Sequence, residues 1–271
     1  MPALSAVLIT LNEERDVGRT VQALSFADEV LVVDSGSTDR TVEMCRALGA
    51  RVLHHPFQGY GAQKRWSVEQ AAHDWILHLD ADEVISPELG RNIRAMLDAG
   101  EPPCAAYRIC FPTVFMGRLM RHGPLRAKWK IRLFDRRRAG WSESPVHELV
   151  QPRGALGDMQ GTALHYTTRD LSDCLQKLDA YTTLAAGELV RNGRRRSMPA
   201  LVLTMPVQFL RHYLFDRNFL NGIPGLAWSL LDSMGSVMKY LKARELEEAA
   251  LRSGAQRAGL PEAPGPGAPP A

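Results

Sequence analysis

The 271-residue sequence is short of several features that would place it in a class at once. No uninterrupted apolar run reaches the ~18 residues of a membrane-crossing helix, so no spanning helix is expected. The opening "MPALSAVLIT" has neither a basic leader nor a cleavage site, so no secretory signal is expected either. Cysteine is scarce. Cys45, Cys104, Cys110 and Cys174 show no CxxC pairing and no histidines at zinc spacing, which excludes a disulfide framework and a zinc module and leaves reduced thiols. The GxG in "GYGAQKR" (59–65) is not followed by GxGxxG and does not lie in a first βα turn, so a dinucleotide-binding fold is excluded. The composition shows no disorder or fibre bias: 45% of residues are hydrophobic and 23% charged, as in an ordinary globular chain. Only "GLPEAPGPGAPPA" (259–271) reads as a disordered tail.

What is present begins with rhythm. "ALSAVLIT" (3–10), "EVLVVD" (29–34), "RVLH" (51–54) and "WILHL" (75–79) are short, nearly continuous apolar runs separated by helical patterns. That alternation indicates a parallel sheet covered on both faces, an α/β fold. Asn12 is expected to cap the first helix, with Glu13 and Glu14 in its first turn. Val17, Val21 and Leu24 form that helix's apolar face. A second helix ends at Gly49, with Ser37 and Thr38 as its cap candidates. A third spans about 63–72, and Ser86-Pro87 opens a fourth with Leu89, Ile93 and Leu97 on one side. Beyond residue 100, "AAYRICF" and "KIRLF" alternate like edge or antiparallel strands. A long amphipathic helix follows over 171–190, and 199–245 is a mixed apolar and basic helical region. The expected organisation is a catalytic domain over 1–190, a helical amphipathic C-terminal region over 191–250, and a tail over 251–271.

Ligands of open parallel sheets bind beyond the carboxyl ends of the strands. Three polar clusters fall at such ends: "TLNEE" after the first strand, "DSGSTD" after the second, and "DADE" after the fourth. Three carboxylates within four residues, Asp80, Asp82 and Glu83, repel one another unless a cation lies among them. In extended backbone Asp80 and Asp82 point the same way, a pair suited to Mg²⁺ or Mn²⁺ shared with phosphate oxygens. Asp34 ends its strand free to accept from a base or sugar, beside a Gly36 turn that offers backbone N–H groups. Lys64 or Arg65 is positioned to meet a phosphate. Residues 118–138 hold nine Lys or Arg against one acid, which suits an anionic partner although the net charge is only +3. "SESPVHEL" supplies Glu143, His147 and Glu148 as general-base candidates, and His165 in "ALHYTTRD" is a candidate third metal ligand. "DADEV" also fits the DxDx[TV] of haloacid dehalogenase-type phosphatases. It lies on the fourth strand, not the first, and the chain has no Asp-Asp dipeptide, so that chemistry is set aside.

The order "ITLNEE", "VLVVDSGSTDRT", "GYGAQKR", "HLDADE" resembles inverting glycosyltransferases of family 2, which have a GT-A fold. Downstream, "KWKIRLF", "SPVHE", "LHYTTRDL" and "KLDAYTTLAA" resemble the bacterial branch that includes lipopolysaccharide inner-core β-1,4-glucosyltransferases. Together these stretches cover residues 4–245. The resemblance implies a GT-A sheet flanked by helices with a helical C-terminal region. It implies that Thr10, Glu13 and Asp34 hold the nucleoside, Asp34 at the uracil. Lys64 would contact the nucleotide and Asp80 the ribose or metal; outside the resemblance, the basic segment offers Lys128, Lys130 or Arg132 to the leaving diphosphate, with Arg132 the expected nucleotide-sugar contact. Asp82 would be the direct ligand of a divalent Mg²⁺ or Mn²⁺, and His165, from its place in the sequence and not from the resemblance, is the expected further ligand. Where relatives carry a Glu-Asp pair this chain has His147-Glu148, and Glu148 is the expected base. The implied reaction moves a hexose, glucose from UDP-glucose, to a lipopolysaccharide-core or other lipid-linked glycan.

Two other classes compete. A nucleic-acid-binding module would use the basic 118–138 stretch but leaves the strand-end acids unexplained, so no nucleic-acid partner is expected. A nucleotidyltransferase shares the sheet and metal logic but would carry a Gly-rich basic signature where "TLNEE" stands. In 199–245, Phe209, Leu210, Leu214, Phe215, Phe219 and Trp228 mingle with Arg211, His212, Arg217 and Lys239. That mixture suits an anionic membrane surface. The expected location is cytoplasmic, peripheral on the inner face of the cytoplasmic membrane.

Overall fold

The computed structural model describes residues 1–142, 149–168 and 170–258. Strands β1 (Leu4–Thr10), β2 (Glu29–Asp34), β3 (Arg51–His54) and β4 (Trp75–Asp80) lie in the order β3-β2-β1-β4, each pair parallel. Their continuous apolar runs follow from burial on both faces. Leu4, Ala6 and Leu8 join Val32, Leu77 and Leu79 in one core, while Val7, Leu31, Val33 and Ile76 form a second on the opposite face. Helices α1 (Val17–Gln22), α2 (Thr41–Ala47), α3 (Tyr60–Glu69) and α4 (Pro87–Asp98) cover these faces. In α4 the Ser86 hydroxyl accepts from Leu89 N at 3.2 Å and Pro87 takes the first turn, as the sequence indicates.

The rest of the sheet is mixed. Strands β5 (Glu83–Ile85), β6 (Ala106–Phe111), β7 (Thr113–Phe115), β8 (Arg118–Leu119), β9 (Lys128–Asp135), β10 (Ala139–Trp141), β11 (Val150–Pro152) and β12 (Leu156–Tyr166) follow in the chain. The ten-stranded sheet runs β3-β2-β1-β4-β9-β6-β12-β7-β8, with β5 paired to β12 off that path. Strand β9 is antiparallel to both β4 and β6, so the basic 128–132 segment is laid directly beside the carboxyl end of β4. β10 and β11 form a separate antiparallel pair.

Two capping expectations are corrected. Asn12 does not cap α1: it adopts a left-handed backbone (φ 56°), and α1 begins only at Val17. Its side chain reaches the next loop instead, accepting from Thr38 N at 2.8 Å, while Asn12 N donates to Ser37 Oγ at 2.8 Å. Ser37 and Thr38 are thereby used between loops and do not cap α2. Asp39 accepts from Thr41 N (3.0 Å) at that helix start.

The chain divides into two compact units, Met1–Arg169 and Asp170–Ala271, so the long amphipathic helix belongs to the second unit, ahead of residue 190. Within it lie α5 (Leu171–Arg191), α6 (Met198–Leu210) and α7 (Ile223–Ala258). Residues 199–245 are not one helical run. A π-helical turn (Arg211–Phe215) and a 3-10 turn (Asn218–Asn221) reverse the chain, with Arg217 (φ 58°) and Gly222 (φ 65°) in left-handed conformations. Helix α7 packs on α5 and α6. A Cβ on its Gly235 would lie 2.6 Å from Leu178 of α5, so glycine sets that close approach. Among the described residues no helix is long and apolar enough to cross a membrane. All four cysteines are free thiols.

Candidate functional site

The carboxyl ends of β1, β2 and β4 lie side by side. Thr10 is in register with Asp34, and Ile9 with Asp80. Asp34 is buried and fully engaged. Its Oδ2 accepts from Gly36 N and Ser37 N at 2.9 Å each, and its Oδ1 from Ser37 Oγ at 2.5 Å and Thr10 Oγ1 at 3.3 Å. The expectation that it stands free is corrected: a carboxylate at a strand end followed by a glycine turn closes on the backbone donors of that turn. Of the four bonds the one from Thr10 is long, and it alone can yield to a ligand without reshaping the loop. Glu13 is half-buried, and its backbone N–H donates to Thr41 Oγ1 at 2.7 Å.

The "DADE" carboxylates already have the chain's own cations among them. Arg132, on β9, donates through one terminal nitrogen to Asp80 Oδ2 (2.5 Å) and Glu83 Oε1 (2.8 Å). Lys130, two residues along the same strand, donates to Glu83 Oε1 at 2.6 Å. Lys64 Nζ lies 3.7 Å from Asp80 Oδ1 and 4.8 Å from the Trp141 ring centroid. Glu83 is wholly buried, and its Oε2 also accepts from Asp80 N at 3.1 Å. Burial alone would raise the Asp80 carboxyl. Arg132, Lys64 and Lys130 outweigh it and hold Asp80 well below the usual carboxylate range. Arg132 is held charged by Asp80 and Glu83 against its own burial. The sequence marks Glu83 as one of three crowded acids but gives it no role. Its importance comes from β9 lying against β4, a pairing between residues about fifty positions apart.

Asp82 is not on extended backbone with Asp80. Strand β4 ends at Asp80, and Ala81-Asp82 form the turn into β5. That turn is pinned from two sides: Thr20 Oγ1 of α1 donates to Ala81 O at 2.6 Å, and Tyr166 N of β12 to Asp82 O at 2.9 Å. Asp80 and Asp82 therefore take different partners. Asp82 Oδ2 faces His165 Nε2 at 3.4 Å, both side chains partly exposed. His165 arrives there because β12 pairs with β5, His165 opposite Glu83, after an irregularity between Asp158 and Thr162.

The remaining assignments separate. Arg65 donates to Ser142 O at 2.7 Å, which ties α3 to the end of β10. Glu143, His147 and Glu148, the base candidates, lie outside the described residues. Among the described residues no cluster of three or more Asp, Glu, His or Cys could hold a metal. Asp82 and His165 form a two-donor set instead, one carboxylate oxygen and one imidazole nitrogen. That set fits a divalent ion that takes its other ligands from phosphate oxygens and water, with the imidazole suiting Mn²⁺ better than Mg²⁺.

The family model of glycosyl transferase family 2 matches residues 5–152. The lipopolysaccharide core biosynthesis glycosyltransferase LpsC of Rhizobium meliloti is 30% identical over 250 residues, covering 90% of this chain and 91% of that protein. An uncharacterized glycosyltransferase of Rickettsia typhi is 30% identical over 259 residues, covering 91% and 88%. Among solved structures, glucosyl-3-phosphoglycerate synthase from Mycobacterium tuberculosis, in complex with Mn²⁺, UDP and glucosyl-3-phosphoglycerate, is 21% identical with a TM-score of 0.45, covering 72% of this chain and 82% of that one. On the family match and its full-length relatives, the chain belongs to glycosyl transferase family 2 and is a glycosyltransferase.

Proposed function

We propose that the protein transfers a hexose, glucose from UDP-glucose, with inversion, to a lipopolysaccharide-core or other lipid-linked glycan. The carrying observation is the Asp82–His165 pair beside the Asp80–Arg132–Glu83 cluster, at the strand ends where Thr10 and Asp34 also meet. The similarity to a lipopolysaccharide core enzyme along nearly the whole chain supports the acceptor class. A lipid-linked acceptor would bring the enzyme to the cytoplasmic face of an anionic membrane.

In this reading Thr10, Glu13 and Asp34 hold the nucleoside, and the Thr10 hydroxyl gives up its long bond to Asp34 when uracil arrives. Asp80, fixed by Arg132 and Lys64, presents its carboxylate to the ribose side. Arg132 Nε is buried without a hydrogen-bond partner among the described residues, a donor suited to a diphosphate oxygen. Asp82 and His165 would hold Mg²⁺ or Mn²⁺, which neutralises charge on a leaving diphosphate. Glu148 takes the proton of the acceptor hydroxyl as that oxygen attacks the anomeric carbon and the nucleoside diphosphate departs.

The test is Asp82→Ala. A partly exposed turn acid contributes little to packing, so the variant should keep its unfolding temperature. It should lose at least about tenfold in Mn²⁺-dependent UDP-glucose affinity, about 1.4 kcal/mol. Unchanged Mn²⁺-dependent binding and turnover would remove the metal reading.

A further inference from the structure

Helix α6 is inside out. Met198–Leu210 contains no charged residue, yet it buries Leu201 and Thr204 and exposes Val202, Leu203, Met205, Val207 and Leu210. Val202 is 68% exposed and Val207 59%. The one hydroxyl on the buried side is satisfied there: Thr204 Oγ1 accepts from Arg196 at 2.8 Å and donates to Ala200 O at 2.6 Å. The turn that follows has the same inversion. His212 lies between Asp216 (Nδ1 to Oδ2, 2.8 Å) and Asp232 (Nε2 to Oδ2, 3.0 Å), while Phe215 is 81% exposed and Ile223 73%. Turns on water-facing surfaces expose their polar groups. Here His212, Asp216 and Asp232 bind one another, and Leu214, Phe215 and Leu220 are exposed beside Arg211 and Arg217.

Charge identifies the occupant. Residues 189–215 contain five arginines, Arg191, Arg194, Arg195, Arg196 and Arg211, and no Asp or Glu. Arginine therefore stands at both ends of the exposed apolar helix. At 1.5 Å per residue its 13 residues span roughly 20 Å, short of the roughly 30 Å hydrocarbon core. With cations at both ends, the helix cannot stand upright without drawing one end into hydrocarbon.

We propose that α6 lies flat in the headgroup–acyl boundary of an anionic bilayer. Its outward apolar side faces the acyl chains, Arg194 and Arg211 meet the lipid phosphates, and Phe215 and Ile223 extend the contact, while Arg195 and Arg196 are held within the unit by Glu247 (3.0 Å) and Thr204 (2.8 Å). This deepens the membrane reading above and rests on it. The physical basis is the pairing of a large apolar face with basic flanks, each too weak to anchor alone.

The full-length protein is floated with vesicles of phosphatidylcholine alone and of phosphatidylcholine mixed with phosphatidylglycerol, at low and high salt. Binding is expected only to the mixed vesicles, weakening with salt. Val202→Gln with Val207→Gln should lower the partition coefficient about tenfold. Arg194→Gln with Arg211→Gln should lower it roughly fivefold per arginine. Circular dichroism and the UDP-glucose thermal shift are recorded on the same samples and should be unchanged by either set. A missing donor shift with intact flotation would fail the donor reading and leave this inference standing. Three results overturn it: no flotation at low salt, flotation indifferent to both variants, or a concentration-dependent dimer that the Val202 and Val207 substitutions abolish.

Discussion

At the residue scale, Glu83 changes the meaning of the acid cluster. A run of Asp80, Asp82 and Glu83 invites one explanation for all three, a bound cation. The structure divides them: Glu83 and Asp80 are answered by Arg132 and Lys130 from β9 and by Lys64 from α3, whereas Asp82 faces His165. A wholly buried carboxylate that holds two cations and a backbone N–H is a positioning group. Glu83→Gln keeps the shape but leaves Lys130 and Arg132 with one formal charge fewer to meet. Removing one partner of a buried pair costs about 3 kcal/mol. Urea unfolding should show that loss, and Asp80, which no longer shares Arg132 with a second carboxylate, should bind donor more weakly. An unchanged midpoint would mean that Glu83 only fills space. None of this was legible locally, because the register of β9 on β4 depends on the whole sheet.

At the element scale, β12 carries the argument. It starts beside β6, kinks between Asp158 and Thr162, and ends against β5 and β7, which delivers His165 to the Asp82 turn. Gly161 makes the kink possible: its φ is +99°, and an added Cβ would lie 2.8 Å from both N and Cα of Leu89 at the start of α4. Gly161→Ala should therefore cost about 3 kcal/mol through backbone strain and overlap. Because His165 lies four residues on, metal-dependent donor binding should fall more than metal-independent binding. Equal losses in both would show that the kink serves stability only. The helices and parallel strands were readable because their signals are local, period and cap, as Ser86-Pro87 shows. The caps at Asn12, Ser37 and Thr38 were misread because those side chains satisfy a neighbouring loop twenty-five or so residues away, where no local rule reaches.

At the scale of the whole molecule, burial is divided unevenly and so is the response to acid. In Met1–Arg169 both sheet faces are filled, whereas the buried apolar side chains of the second unit are Ala186, Leu201, Pro224 and Ala243 among those described. Cooperative stability should therefore belong to the first unit, and its pH dependence follows from groups buried there. His78 is wholly buried under Trp141. Ser67 Oγ donates its one hydrogen to Lys64 O (2.8 Å), so His78 Nε2–H donates to Ser67 and Nδ1 is left bare. Burial first, then Lys64 and Arg132, push its pKa well below 6.5. The unfolded chain takes up that proton as pH falls through 6.5 and the folded one does not, so stability present above 6.5 is lost below it. The slope is at most about 1.4 kcal/mol per pH unit. Asp28, Asp39, Asp80 and Asp135 are all lowered from 3.8, and their contribution is lost only as pH falls below that value. Two acid windows result, one from a single histidine and one from carboxylates. Urea midpoints measured by tryptophan fluorescence in a Trp228→Phe background, which leaves Trp66, Trp75, Trp129 and Trp141 as reporters, should fall between pH 6.5 and 5. His78→Gln keeps a donor for Ser67 and cannot titrate, so it should flatten that first window and leave the second. A slope unchanged by His78→Gln would assign the loss to another group and set aside the bare-Nδ1 argument.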